Sequence, residues 1–220
     1  MIEILRKKIG GEEFDYQTLI DCLEGYSNPR AKITQLLRKG IVIRIKKGLY
    51  IFGEAYRRRP YSKELLANLI YGPSYISLEY ALQYYGLIPE QVEAVTSVSS
   101  GRSRNFSTPA GMFTYRQIPV RALSTGMDRV EFKDGTAFLI ATPEKALADK
   151  IISDRGATVR TQKKLLDYLE NDLRIDMENL LSLNTDVLDD IAERYSSGKL
   201  KKLINFIQRK NMQQKGHRHA

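Results

Sequence analysis

The chain of 220 residues has one cysteine, two histidines and no long apolar run, and each shortage excludes a class of function. A single thiol, Cys22, cannot form an internal disulfide, and a metal site would need further ligands. Its place between Asp21 and Leu23 in a helical pattern reads as a small core residue. His217 and His219 both fall in the last four residues, a polar terminus where no structured metal site is expected. With no histidine elsewhere, Ser-His or Cys-His catalysis has no base to place. The longest apolar run, Ala137 to Ala141, falls far short of the ~20 residues of a membrane-spanning helix. Met1 to Lys8 lacks the apolar stretch of a secretory signal. Gly-rich phosphate loops of the Walker or dinucleotide type are missing as well. The expectation is a cytoplasmic protein with no cofactor, no metal and no membrane partner.

Hydrophobic residues make up 42% of the chain and charged residues 28%, which argues for a folded protein of one or two domains. The net charge is +9. Between Tyr26 and Pro60 stand ten Lys or Arg residues against a single acid, Glu54, so this window alone matches the net charge of the chain. A basic patch confined to one small region is the footprint of nucleic-acid binding, because Lys and Arg displace condensed counterions from phosphates. A merely solvated face would carry mixed signs.

The first sixty residues predict three helices and a hairpin. Ile2, Leu5 and Ile9 stand at helical spacing before Gly10-Gly11. Asp15 can cap a second helix through Leu23, with Leu19, Ile20 and Leu23 on one face. Ser27 can cap a third, with Pro29 early in it and Gly40 just past its end. On that helix Ile33, Leu36 and Leu37 face the core. Asn28, Ala31, Thr34, Gln35 and Arg38 lie opposite, with Arg30 and Lys32 on the flanks. Short polar side chains with long donors and no Glu are what a major groove needs to be read. Ile41–Ile45 and Leu49–Phe52 around Lys46-Lys47-Gly48 predict a basic hairpin. This order predicts a winged helix-turn-helix over 1–56, with Arg44, Lys46 and Lys47 on the wing. Arg57, Arg58 and Arg59 would form a basic linker over 57–60 that reaches phosphate or a minor groove.

From Tyr61 the charges balance and Pro and Gly become denser. Ser62 and Ser77 can cap helices ending near Tyr71 and Tyr85. Val92–Val98 and Gly111–Ile118 read as strands, with a basic loop from Ser99 to Asn105 between them. Val130–Lys133 and Thr136–Ala141 read as a hairpin around Asp134-Gly135. Thr142-Pro143-Glu144 opens a helix, and three more follow near 162–171, 185–195 and 198–210. The fold class expected is α+β: a winged helix-turn-helix, then a mixed α/β domain over 61–210 with a helical C-terminus and a disordered tail over 211–220.

Several segments together resemble the AbiEi family of antitoxins. They are Gly72-Pro73-Ser74-Tyr75-Ile76-Ser77-Leu78-Glu79-Tyr80-Ala81-Leu82, then Tyr85-Gly86-Leu87-Ile88, then Ala141-Thr142-Pro143-Glu144-Lys145-Ala146-Leu147-Ala148-Asp149. Leu36-Leu37-Arg38-Lys39-Gly40 and Lys47-Gly48-Leu49-Tyr50 fit the same pattern, so the resemblance runs from about Phe14 to Ile151. It implies a protein of type IV toxin–antitoxin, abortive-infection systems. Its winged helix would bind its own promoter as double-stranded DNA and repress it. Its C-terminal region would neutralise a cognate nucleotidyltransferase-like toxin.

Two other readings stay open. One is a plain winged-helix regulator whose second domain senses a ligand or associates. The other is a metal-dependent nuclease built on Asp128, Glu131 and Lys133. The tyrosines Tyr71, Tyr75, Tyr80, Tyr84 and Tyr85 are expected to pack, with their hydroxyls at the surface. Glu144, Lys145 and Asp149 are expected to be structural, with Lys145 and Asp149 paired at i, i+4.

Overall fold

A computed structural model describes residues 2–154, 159 and 161–217, the last three by backbone alone. The chain is of the α+β class. Its N-terminal unit runs α1 (Ile2–Lys8), β1 (Glu13–Asp15), α2 (Tyr16–Asp21), α3 (Pro29–Arg38), β2 (Val42–Lys46) and β3 (Leu49–Phe52). The three strands form an antiparallel sheet in the order β1-β3-β2. This arrangement is compatible with a winged helix-turn-helix. The sequence missed β1, which is too short and too polar to show alternation, and which exists because β3 offers it a partner.

The core of this unit joins Leu5, Leu19, Leu23, Ile33, Leu36, Val42, Tyr50 and Phe52, with Cys22 buried among them. Asp15 caps α2 as expected, its carboxylate accepting from Thr18 N at 2.8 Å. The cap of α3 is Asn28 instead of Ser27, and its Oδ1 accepts from Ala31 N at 3.0 Å. Pro29 therefore sits at the first helical position. Gly40 ends the helix at φ +64°, and Gly53 passes so close to it that a Cβ there would lie 1.8 Å from the Gly40 carbonyl oxygen.

A short 3₁₀ turn, Glu54–Tyr56, leads to the second region: α4 (Lys63–Ile70), β4 (Ser74–Ile76), α5 (Leu78–Tyr84), β5 (Val95–Ser99), β6 (Arg104–Thr108), β7 (Gly111–Gln117), α6 (Val120–Leu123), β8 (Met127–Glu131) and β9 (Ala137–Ala141). Then come α7 (Pro143–Ser153), α8 (Gln162–Asp167) with a π-helical turn at Tyr168–Asp172, α9 (Met177–Leu181), α10 (Thr185–Tyr195) and α11 (Gly198–His217). The six strands form one mixed sheet in the order β6-β7-β5-β4-β9-β8, with β5–β7 and β4–β9 parallel. Tyr115 on one face reaches α4 through a bond from its hydroxyl to Ala67 O. Tyr75 and Thr96 on the other face bond to α7 and α5.

Several sequence expectations are corrected. Ser99–Asn105 is not all loop, because Arg104 and Asn105 begin β6, whose polar composition hid it. Ser77 precedes α5 but makes no cap bond; its hydroxyl donates to Asp149 Oδ2 at 2.7 Å. Residues 211–217, expected in a disordered tail, continue α11. The His217 side chain and His219 lie outside the described residues.

The Lys145–Asp149 pair is fully buried, at 2.7 Å. Asp149 also accepts from Tyr195 at 2.5 Å, Ser77 at 2.7 Å and Tyr75 at 3.2 Å, and Lys145 Nζ lies 3.0 Å from the Tyr195 oxygen. The pair thus ties β4, α7 and α10 together. Burial pulls the lysine below its ordinary range, against the pull of Asp149, and burial followed by the Asp149 charge pushes both tyrosines far up. The hydroxyls of Tyr75 and Tyr80, expected at the surface, instead donate to the carboxylates of Asp149 and Glu64.

Candidate nucleic-acid interface

Helix α3 holds its place through Ile33 and Leu36, both buried, with Leu37 half-buried beside them. At about 100° per residue the opposite arc carries Arg30, Ala31, Thr34, Gln35 and Arg38, and all five are exposed. Among the described residues Arg30 and Arg38 make no ion pair. Thr34 Oγ1 donates to Arg30 O at 3.2 Å. Lys32 is half-buried, with its ammonium 5.0 Å above the Tyr26 ring. Asn28 is exposed but its oxygen is engaged in the cap. That leaves its amide N–H group for any outside contact.

The hairpin divides its cations. Arg44 and Lys47 are exposed. Lys46, expected on the backbone of DNA, is half-buried instead and donates to the carbonyl of Ile70 at the end of α4. Its ammonium stands 5.9 Å from the Phe106 ring. The cause is that β2 and β3 are buried on both sides. Val42, Tyr50 and Phe52 face the N-terminal core, while Ile45, Leu49 and Ile51 belong to the core of the second region. A wing packed this way keeps only Arg44, within β2, and Lys47, at the turn, in solvent.

The linker is held in place. Arg6 makes a bidentate pair with Glu12, at 2.7 and 3.1 Å, over the ring of Phe52. It also donates from Nε to the Tyr56 carbonyl at 3.0 Å, and Glu12 accepts from Arg58 N at 3.0 Å. Arg57 lies over Tyr61 at 5.0 Å, and Arg59 pairs with Asp134 of the β8–β9 turn. Arg58 alone of the three is exposed. Next to Arg59, Glu13 accepts from Ser62 N at 2.5 Å, yet burial outweighs that bond and the arginine's charge and leaves its carboxyl above the usual range. Reaching DNA would require Arg57 and Arg59 to give up contacts inside the protein.

Of the twelve residues expected to bind DNA, the structure brings Arg30, Thr34, Gln35 and Arg38 onto one exposed helix face and keeps Arg44, Lys47 and Arg58 in solvent. Sequence reasoning marked only the basic loop from Ser99 to Asn105, with Arg102 and Arg104, out of a longer cationic stretch. From Ala94 to Met127 the chain has no acid and four arginines, Arg102, Arg104, Arg116 and Arg121, and all four are exposed. The signal was the missing Asp and Glu, masked by balanced charge elsewhere in the region. Near Arg116 a cleft of about 900 Å³ opens between β7 and the end of α7, lined also by Leu78, Glu79, Thr114 and Lys150. Lys150 there bridges Glu79 and Asp154, at 2.7 and 3.0 Å.

The nuclease constellation is not assembled. Asp128 and Glu131 are three apart on β8 and so point to opposite faces, and Lys133 lies past its end. Glu131 pairs with Arg129. Among the described residues no three His, Cys, Asp or Glu side chains are grouped to hold a metal ion, and no helix is long and apolar enough to cross a membrane. No protein-family model and no curated protein matches the chain.

Proposed function

We propose that this chain is a DNA-binding transcriptional repressor of its own operon, of AbiEi type, in which α3 enters the major groove. The observation that carries the reading is the exposed, acid-free face of α3. It presents Arg30, Gln35 and Arg38, the donors that read guanine and adenine edges, with Thr34 between them. Arg44, Lys47 and Arg58 contact the phosphate backbone and set the register. Lys46, Arg57 and Arg59 have a structural part and add to the local positive potential.

The antitoxin half of the reading rests on the resemblance of the 72–88 and 141–149 segments to the AbiEi family. In it, the region from Tyr61 onward neutralises a cognate nucleotidyltransferase-like toxin, and the protein itself carries out no catalysis in the cytoplasm. The buried Tyr75, Ser77, Lys145 and Asp149 from those segments then serve the fold and do not meet the toxin. A second reading is favoured by the cleft beside Arg116: a plain regulator whose second domain senses a small anionic ligand there.

The test is a salt titration of binding to the DNA upstream of the gene, with scrambled DNA alongside. The expected result is tight binding that prefers the upstream DNA at physiological salt. Equal binding to both, collapsing as salt rises, would leave a counterion-release footprint and no operator. Co-expression with the toxin tests the second half: growth is restored by the full chain and not by residues 1–60.

A further inference from the structure

Among the described residues the six-stranded sheet ends in two edge strands, β8 and β6, and they are finished differently. β8 is guarded. Its neighbours Gly126 and Phe132 bond toward the β9 side, so by alternation the Arg129 N–H points outward, and Asp128 Oδ1 accepts it at 2.7 Å. Arg129 also pairs with Glu131 on this strand. Charged side chains and occupied backbone donors are ordinary defences of a sheet edge.

β6 has neither. Its one charged residue, Arg104, turns away with its guanidinium 6.0 Å over the Tyr71 ring. Phe106 goes the same way, packed 6.0 Å from Tyr71 and 5.6 Å from Tyr115, which holds the strand rigid. Thr108 pairs with Gly111 across the two-residue turn Pro109-Ala110, so alternation aims the N–H and C=O of Asn105 and Ser107 away from β7. Both residues are exposed and uncharged. The surroundings are cationic, since no acid occurs between Ala94 and Met127 and neither Arg102 nor Arg116 makes an ion pair among the described residues.

We propose that β6 is a docking edge for an extended acidic segment of a partner protein, which adds as a seventh strand. The occupant is a polypeptide because the edge presents donors and acceptors at strand spacing, which another backbone matches and a sugar-phosphate chain does not. It is acidic because Arg102 and Arg116 flank the edge with unneutralised charge. A rigid edge loses little freedom on binding.

The test uses the full chain and three probes: an acetylated Glu-Val-Glu-Val-Glu-Val amide, its Lys-for-Glu counterpart, and the acidic peptide N-methylated at every residue, so that neither of its edges can donate. Binding is followed through the backbone amide resonances and hydrogen exchange of Asn105 and Ser107. The acidic peptide is expected to shift both amides and slow their exchange. N-methylation should weaken it ~10-fold or more, since two backbone bonds are lost. Asn105→Pro should do the same, being tolerated where the N–H faces solvent; should it unfold the chain, the N-methylated probe on unaltered protein still decides. Arg102→Gln with Arg116→Gln should weaken binding several-fold while the amides still respond. Equal binding of the methylated and parent peptides, or responses at β8, would overturn the proposal. So would a DNA duplex that protects the Asn105 and Ser107 amides where the peptide does not, which would assign the edge to nucleic acid.

Discussion

Arg38 on α3 and Asp149 on α7 are both charged residues on helices, and their surroundings are opposite. Arg38 stands in solvent with no ion pair among the described residues, while Asp149 is fully buried and accepts from Lys145, Tyr195, Ser77 and Tyr75. A buried charge with several partners is costly to disturb, because removing one leaves the rest desolvated and unpaired. An exposed charge holds almost nothing in the fold and keeps its donors for another molecule. The same division runs through the basic window itself, between Arg30, Arg38, Arg44 and Lys47 on one side and Lys46, Arg57 and Arg59 on the other.

The largest effect expected from this contrast is at the buried network. Asp149→Ala should destabilise the fold by ~3–5 kcal/mol in urea unfolding, because Lys145 is left buried without its counter-charge. Combining Lys145→Met with Asp149→Leu should recover most of that loss. If the double variant were as unstable as the single, the four hydrogen bonds rather than the charge pair would carry the stability.

Arg38→Ala should do the reverse. Its unfolding midpoint should stay within ~0.5 kcal/mol of the parent, and its affinity for upstream DNA should fall by ~1–3 kcal/mol. An equal loss on scrambled DNA would remove the base-reading role from Arg38.

A sharper comparison lies within the hairpin. Lys47→Ala should flatten the salt dependence of DNA binding by about one in slope. Lys46→Ala should leave that slope nearly unchanged but cost ~1 kcal/mol of stability, because the Ile70 carbonyl loses its donor. Identical slopes for the two variants would show that Lys46 leaves Ile70 when DNA binds.

The smallest effect is at Asp15. Hydrogen bonds from the Thr18 backbone and hydroxyl hold its carboxyl below the usual aspartate range, against a small opposing effect of burial. A lowered pKa means the cap's contribution is full above the ordinary aspartate pKa and is lost as pH falls through the folded one. Asp15→Ala should therefore cost ~1 kcal/mol at neutral pH, with the difference from the parent shrinking in acid. Urea midpoints of both proteins across that range would check it.

The N-terminal unit was legible because its signals are local. Periodicity separated Ile33 and Leu36 from the exposed arc of α3, and Gly40 with the Lys46-Lys47-Gly48 turn marked where the helix and strands end. β1, β4 and β6 were not legible. They are three to five residues long and polar or mixed, and they exist because a neighbouring strand supplies their hydrogen bonds. For the candidate site, the residue types and helix face of α3 could be read directly, whereas the engagement of Lys46, Arg57 and Arg59 could not. Their partners Ile70, Tyr61 and Asp134 belong to the second region and are brought to them only by packing.

By itself the sequence determined where the positive charge lies along the chain, which helix carries a donor-rich face, and that the fold is α+β. These follow from composition and from periods of a few residues. The tertiary structure alone decided which cations remain in solvent, because that depends on what the second face of the β2–β3 hairpin packs against. It alone decided that Lys145 and Asp149 are buried together, since their shielding comes from β4 and α10 as well as from their own helix. It alone left one sheet edge guarded and the other open, because an edge is a property of strand order, and strand order is set by long-range pairing.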